Sequence, residues 1–179
     1  MALAQEKLYT IDDIYALPDG ERAELIDGEL YMMTPPGTTH QRIVSFLNRT
    51  IGNYIQEQKG DCEIFPAPFA VFLNNDEYTY VEPDISVVCD KSKLDEKGCN
   101  GAPDWVIEIV SPSSKRMDYF IKMEKYRRAG VREYWIVDAA KGNVFVYDFE
   151  NDDINTYGFE EEIPVNIYDG DLKITMKTE

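Results

Sequence analysis

Only one histidine, His40, occurs in the chain, and that scarcity removes every metal or catalytic site built from two or more imidazoles. No GxSxG elbow accompanies it, so nothing supports a Ser-His-Asp triad, and His40 is read as helping to start a helix. Also missing are a GxxxxGK loop followed by Ser or Thr and a GxGxxG turn, which sets aside the nucleoside-triphosphate and dinucleotide-binding classes. Cysteine is sparse: Cys62, Cys89 and Cys99 form an odd set with no CxxC pair. That pattern argues against a disulfide framework and a cysteine zinc site, and predicts reduced thiols. No apolar run approaches the roughly 18 residues that cross a bilayer, so no membrane partner is expected. The opening residues MALAQEKLYT lack a basic region followed by an apolar stretch, which makes the expected location cytoplasmic.

Positive charge is scarce as well, with 18 Lys and Arg against 34 Asp and Glu and a formal net charge of −16. Such a surface repels a polyanion over most of its area instead of drawing it in by counterion release. A nuclease is still compatible with this charge, because a bound cation or a local basic patch reverses the field at one place. One basic stretch is present, with Lys115, Arg116, Lys122, Lys125, Arg127, Arg128 and Arg132 close together.

With 179 residues, 44% of them hydrophobic, the chain can bury a core without structural metal, and no linker or repeat divides it. A single domain over 1–179 is expected. Thr10 caps a short predicted helix that ends near Ala16, before Pro18 and Gly20. Around Asp27-Gly28 the runs 24–26 and 30–32 read as a hairpin. From about Thr38 to Lys59, Ile43, Val44, Leu47, Ile51, Tyr54 and Ile55 recur at helical spacing and predict the longest helix.

Strands are predicted around Ile64, over Phe69 to Leu73, Ile85 to Val88, Trp105 to Val110, and Tyr134 to Val137, the last paired with Val144 to Tyr147 across Lys141-Gly142-Asn143. Weaker strands follow near Ile154 and Leu172 to Met176. A helix is predicted from about Ser114 to Ala129, stopped by Gly130. The fold class is therefore α/β (α+β): a mixed central sheet flanked by helices, with additional N- and C-terminal strands.

Two acidic positions carry chemical interest. Asp84 opens the run Ile85 to Val88, and Glu108 sits inside the apolar run Trp105 to Val110, where an unpaired carboxylate is costly to bury. A hard divalent cation held by one or two carboxylates, with water and substrate phosphate completing its shell, would explain them and points to phosphodiester chemistry. The bland readings are an Asp that only follows Pro83 in a turn and a Lys122 that is one more solvated helix residue.

Taken together, AELIDGEL, HQRIV, EPD, GAPDWVIEIVSPSS, DYFIKMEKYRRAGV and EYWIVD make the chain resemble the Uma family of putative restriction endonucleases, within the PD-(D/E)XK nuclease superfamily. The resemblance runs over nearly the whole chain. It implies a restriction-endonuclease-like core, a Mg²⁺- or Mn²⁺-dependent endonuclease activity, and nucleic acid as substrate with DNA foremost; a homodimer is expected besides. Carried over residue by residue, Asp84 matches the aspartate of the PD half-motif and Glu108 the acidic residue of the second half. The lysine slot two residues later holds Val110, and the resemblance implies that the lysine has moved to Lys122 on the following helix.

On this basis Asp84, Glu108 and the backbone carbonyl of Ile109 are the expected metal ligands. Lys122 is expected to orient water or stabilise charge on phosphorus, and Glu24 is a candidate additional ligand or water-positioning group. Two alternatives stay open. Val110 and the acidic surface suit a nuclease fold that has lost catalysis and serves binding or assembly; the same acidity suits a hydrolase of small phosphoesters or of RNA.

Overall fold

The computed structural model describes residues 7–176. Helix α1 (Ile11–Tyr15) begins at Thr10, whose backbone N–H donates to Asp13 Oδ2 at 2.8 Å, as the cap position predicts. Strands β1 (Ala23–Ile26) and β2 (Glu29–Met32) form the expected hairpin. Its two-residue turn needs left-handed backbone at both central positions, and Asp27 (φ 52°) and Gly28 (φ 82°) provide it. Helix α2 (Thr38–Gln58) is the long helix, and its stripe Ile43, Leu47 and Ile51 is buried.

After it come β3 (Glu63–Pro66), β4 (Val71–Phe72), β5 (Ile85–Val88), β6 (Leu94–Asp95), β7 (Gly98–Asn100) and β8 (Trp105–Ile109). A helical segment then winds with π geometry over Met117–Lys122 and continues as α3 (Met123–Ala129), ending at Gly130 with φ 96°. Strands β9 (Glu133–Asp138), β10 (Asn143–Asp148), β11 (Asp153–Gly158), β12 (Ile163–Pro164) and β13 (Lys173–Ile174) complete the order.

The central sheet has six strands in the order β11-β10-β9-β8-β5-β3. Only β8 and β9 run parallel, joined by the helical segment, and every other neighbour is antiparallel, so the sheet is mixed. All five residues of β8 are buried. Its alternate side chains enter two different cores, which is why the run reads as continuously apolar. Trp105, Ile107 and Ile109 pack with α2 and the C-terminal strands, whereas Val106 and Val110 pack with Tyr126 of α3 and Tyr134 of β9. Glu108 shares its strand face with Val106 and Val110, so it lies under the helical segment.

The helix predicted from about Ser114 begins there: Asp118 N–H donates to the Ser114 carbonyl (3.0 Å), and Ser111 and Ser114 close the turn before it, with Ser111 N–H donating to Ser114 Oγ (3.0 Å). The expectation of three reduced thiols is corrected: Cys62 and Cys89 form a disulfide, and only Cys99 is free, in a buried position. Register explains the pairing. Glu63 faces Val88 across β3 and β5, so the next residues outward are brought together although 27 positions separate them in sequence.

Candidate active site

The register Ile85 opposite Ile107 carries Asp84, one residue before β5, to the level of Glu108 on β8. The two are linked through backbone: Asp84 N–H donates to Glu108 Oε2 at 3.3 Å, and Ile109 N–H donates to Asp84 Oδ2 at 2.8 Å. What is seen of Ile109 is thus a tie between strand ends. The same Asp84 Oδ2 lies 3.0 Å from His40 Nε2, at the start of α2. Asp84 therefore joins elements from both faces of the sheet.

Over Glu108 the π-wound segment turns Lys122 inward. Its ammonium sits 2.8 Å from Glu108 Oε1, 2.7 Å from Glu24 Oε2 on β1 and 3.8 Å from Asp118 Oδ1, with the lysine side chain only 6% exposed. Tyr126, one helical turn on, donates its hydroxyl to Glu108 Oε1 at 2.8 Å. Glu24 is steadied in turn by the backbone N–H of Glu82 at 2.9 Å, and Glu82 accepts from Arg22 Nε at 2.9 Å and from the Tyr80 hydroxyl at 2.7 Å. Three predicted residues, Glu24, Glu108 and Lys122, are thus in direct contact, and Asp84 adjoins Glu108.

Electrostatics follow from crowding three carboxylates around one lysine, with Asp84 adjoining Glu108. Burial pushes the Lys122 ammonium down, but Glu108, Glu24 and Asp118 outweigh it and hold the group well above its ordinary range, so it stays protonated. One positive charge divided among several carboxylates leaves an excess. Burial first, and then Asp118, Asp84 and Glu24, push the Glu108 carboxyl well above the usual range, and Lys122 offsets this only in part. Asp118 is pushed up to about 6, chiefly by burial. For His40, burial pulls the imidazole down, but the hydrogen bond and charge of Asp84 win and hold it above its ordinary value.

The sequence reading passed over three members of this cluster. Tyr126 carries no signal beyond its helical spacing from Lys122. Asp118 carries no signal beyond standing four residues before Lys122, and His40 is read only as helping to start the helix. The basic stretch also needs correction as a candidate nucleic-acid patch. Lys115 pairs with Asp138, Lys125 with Asp27, Arg127 with Asp152, Arg128 with Glu124, and Arg132 with Asp104 and Glu150. Among the described residues only Arg116 of that stretch has no ion pair. With nearly two acids per base in the chain, the cations find carboxylates on neighbouring elements.

The chemistry of the donors suits a hard cation. Asp84 and Glu108 lie at one level of the sheet, Asp84 Oδ1 accepts no hydrogen bond among the described residues, and the surplus negative charge is of the kind a divalent ion relieves. Among the described residues no three His, Cys, Asp or Glu side chains are disposed as a ready metal cage. Two carboxylates with water and phosphate is the ordinary Mg²⁺ arrangement, and the residues present fit that simpler set.

The chain matches the Uma2 family model, described as "Putative restriction endonuclease", over residues 11–176. It belongs to the Uma2 family. Nucleic acid is accordingly the substrate class that membership implies for this Uma2 chain. A relative in Synechocystis sp., the uncharacterized protein slr1290, is 28% identical over 134 residues, covering 74% of this chain and 68% of that one. Among solved structures, a putative nuclease of the DUF820 group from Anabaena variabilis superposes with a TM-score of 0.76 at 22% identity, over 93% of this chain and 94% of that one. That likeness establishes the nuclease-type fold of the Uma2 chain. No helix among the described residues is long and apolar enough to cross a membrane.

Proposed function

We propose that this Uma2 chain is a Mg²⁺- or Mn²⁺-dependent endonuclease of the PD-(D/E)XK type that hydrolyses phosphodiester bonds in DNA, with Lys122 as its active-site lysine. One observation carries the reading: the Lys122 ammonium lies 2.8 Å from Glu108 Oε1, reaching from the helix the face on which the strand's own lysine slot holds Val110.

Asp84, Glu108 and the carbonyl of Ile109 would hold the ion, which when bound acidifies an attacking water and polarises the scissile phosphate. Lys122 donates a hydrogen bond to that water or to a non-bridging phosphate oxygen, and its fixed charge stabilises the negative charge that builds up on the phosphoryl group. Glu24 and Asp118 hold the ammonium in place, and Tyr126 holds Glu108. Burial of the cluster keeps these charges unscreened, so the same groups are worth more than they would be in water. The reading includes a cytoplasmic location and a homodimer, in which a two-fold axis would offer one site to each strand of a duplex; sedimentation velocity measures the dimer directly.

The deciding experiment compares cleavage of supercoiled, linear and single-stranded DNA, and of RNA, with Mg²⁺ or Mn²⁺. Wild type should cut DNA only with metal, and Glu108→Gln and Asp84→Asn should each lose about 100-fold or more of the rate. Undiminished cleavage by Glu108→Gln would remove Glu108 from the site; cleavage of RNA alone would move the substrate to RNA.

A further inference from the structure

His40 plays no part in the chemistry described so far, yet its place is not that of an ordinary helix-start residue. It is the third residue of α2, where the helix dipole disfavours a cationic side chain, and its imidazole is turned to a carboxylate. His40 Nε2 and Ile109 N–H converge on one oxygen, Asp84 Oδ2, at 3.0 and 2.8 Å. The other oxygen, Oδ1, accepts no hydrogen bond among the described residues, while the Asp84 side chain keeps 17% of its surface open to solvent. The imidazole is itself held at a defined point. Ile43, Leu47 and Ile51 lock α2 onto the sheet, and Nδ1 lies 3.2 Å from Gln41 Oε1.

We propose that His40 is a positioning residue: with the Ile109 N–H it holds Asp84 Oδ2 from two sides, so that Oδ1 is the oxygen presented to the divalent ion. The inference rests on the reading of Asp84 as a metal ligand. An aspartate carboxylate, free to turn about two side-chain torsions, samples several orientations, and two donors on one oxygen select a single one. Outer partners that orient ligands in this way typically matter by about 10- to 100-fold in metal affinity. The hydrogen bond also ties the α2 face of the sheet to the strand end, so that docking of the long helix and aim of the ligand depend on each other.

The test is Mn²⁺ titration of the whole chain by calorimetry and electron paramagnetic resonance at pH 7.5, with no substrate present. His40→Ala should weaken Mn²⁺ binding by about 10- to 100-fold while its melting temperature stays within a few degrees of wild type. His40→Gln, which keeps an N–H donor near Asp84, should recover most of that loss. In cleavage assays at saturating Mn²⁺, KM for DNA should stay unchanged in both variants. Wild-type affinity in His40→Ala overturns the inference alone. So does a loss in His40→Ala that His40→Gln fails to recover. No Mn²⁺ binding by wild type, or binding that Asp84→Asn leaves unaltered, overturns the metal-ligand reading and the inference with it.

Discussion

Lys122 Nζ and Glu108 Oε1 stand 2.8 Å apart across 14 positions of sequence, and the same ammonium contacts Glu24, 98 positions away. An ion pair at this depth is fixed by three elements at once: β1, β8 and the π-wound segment. Removing the cation strands its partners, because the side chains of Glu24 and Glu108 are only 6% and 5% exposed.

Lys122→Ala should therefore destabilise the fold by about 3–5 kcal/mol at pH 7.5. The deficit should shrink at pH 5, where orphaned carboxyls take up protons. Urea unfolding at the two pH values measures both, and an unchanged midpoint at pH 7.5 would mean that the lysine does not offset the buried acids.

Tyr126 is fully buried and its hydroxyl is a hydrogen-bond donor to Glu108. Tyr126→Phe should cost about 1.5–3 kcal/mol, the range for a hydrogen bond to a charged group, and should push the Glu108 carboxyl further up. Chemical denaturation checks the first. For the second, the acid limb of the pH–rate profile for DNA cleavage should move to higher pH in the variant.

Glu133, buried beneath the C-terminal segment, accepts from Trp135 Nε1 at 2.7 Å and from Ile167 N–H at 2.9 Å. Burial dominates these bonds and pushes its carboxyl up from 4.5 to about 7. A raised folded-state value means that the native protein binds the proton more tightly than the unfolded chain does. Its contribution is fully present below about pH 4.5 and is lost as pH rises to about 7, amounting to about 3 kcal/mol. Asp118, pushed up to about 6, acts in the same direction. Wild-type stability should fall between pH 4.5 and 7, and Glu133→Gln should flatten that slope; denaturant midpoints at four pH values give the comparison.

Cys62 and Cys89 close a loop of 27 residues. Breaking it with dithiothreitol, or with Cys62→Ser, should lower stability by about 3–4 kcal/mol on loop-closure entropy, seen as a drop in melting temperature. DNA cleavage below that temperature should be unaffected, since Cys89 lies about 17 Å along the strand from Asp84. Thiol titration of the unfolded, unreduced chain should find one reactive cysteine, Cys99; three would disprove the bond.

Much of the fold was legible along the chain. The Asp27-Gly28 turn, the Ile43–Leu47–Ile51 stripe and the strand pair around Lys141-Gly142-Asn143 each depend on residues within a few positions of one another. Glu108 was legible for a related reason: a carboxylate within a buried apolar strand is costly, and the cost is visible in one dimension. The short strands β6, β7 and β12 were not, since two or three residues carry no period.

Sequence by itself determined the order of the longer helices and strands, the mixed sheet and the cost of burying a carboxylate at Glu108, because backbone sterics and the periods of helix and strand act locally. Tertiary structure alone decided who meets whom. The register of β3 against β5 joined Cys62 to Cys89, and the docking of β1 and the π-wound helix put Lys122 between Glu24 and Glu108. The seating of α2 turned His40 to Asp84, and the packing of outer elements gave most of the basic stretch its acids. Contacts of this kind join residues tens of positions apart, and their partners are selected by the common burial of two cores, a property that no short stretch of sequence contains.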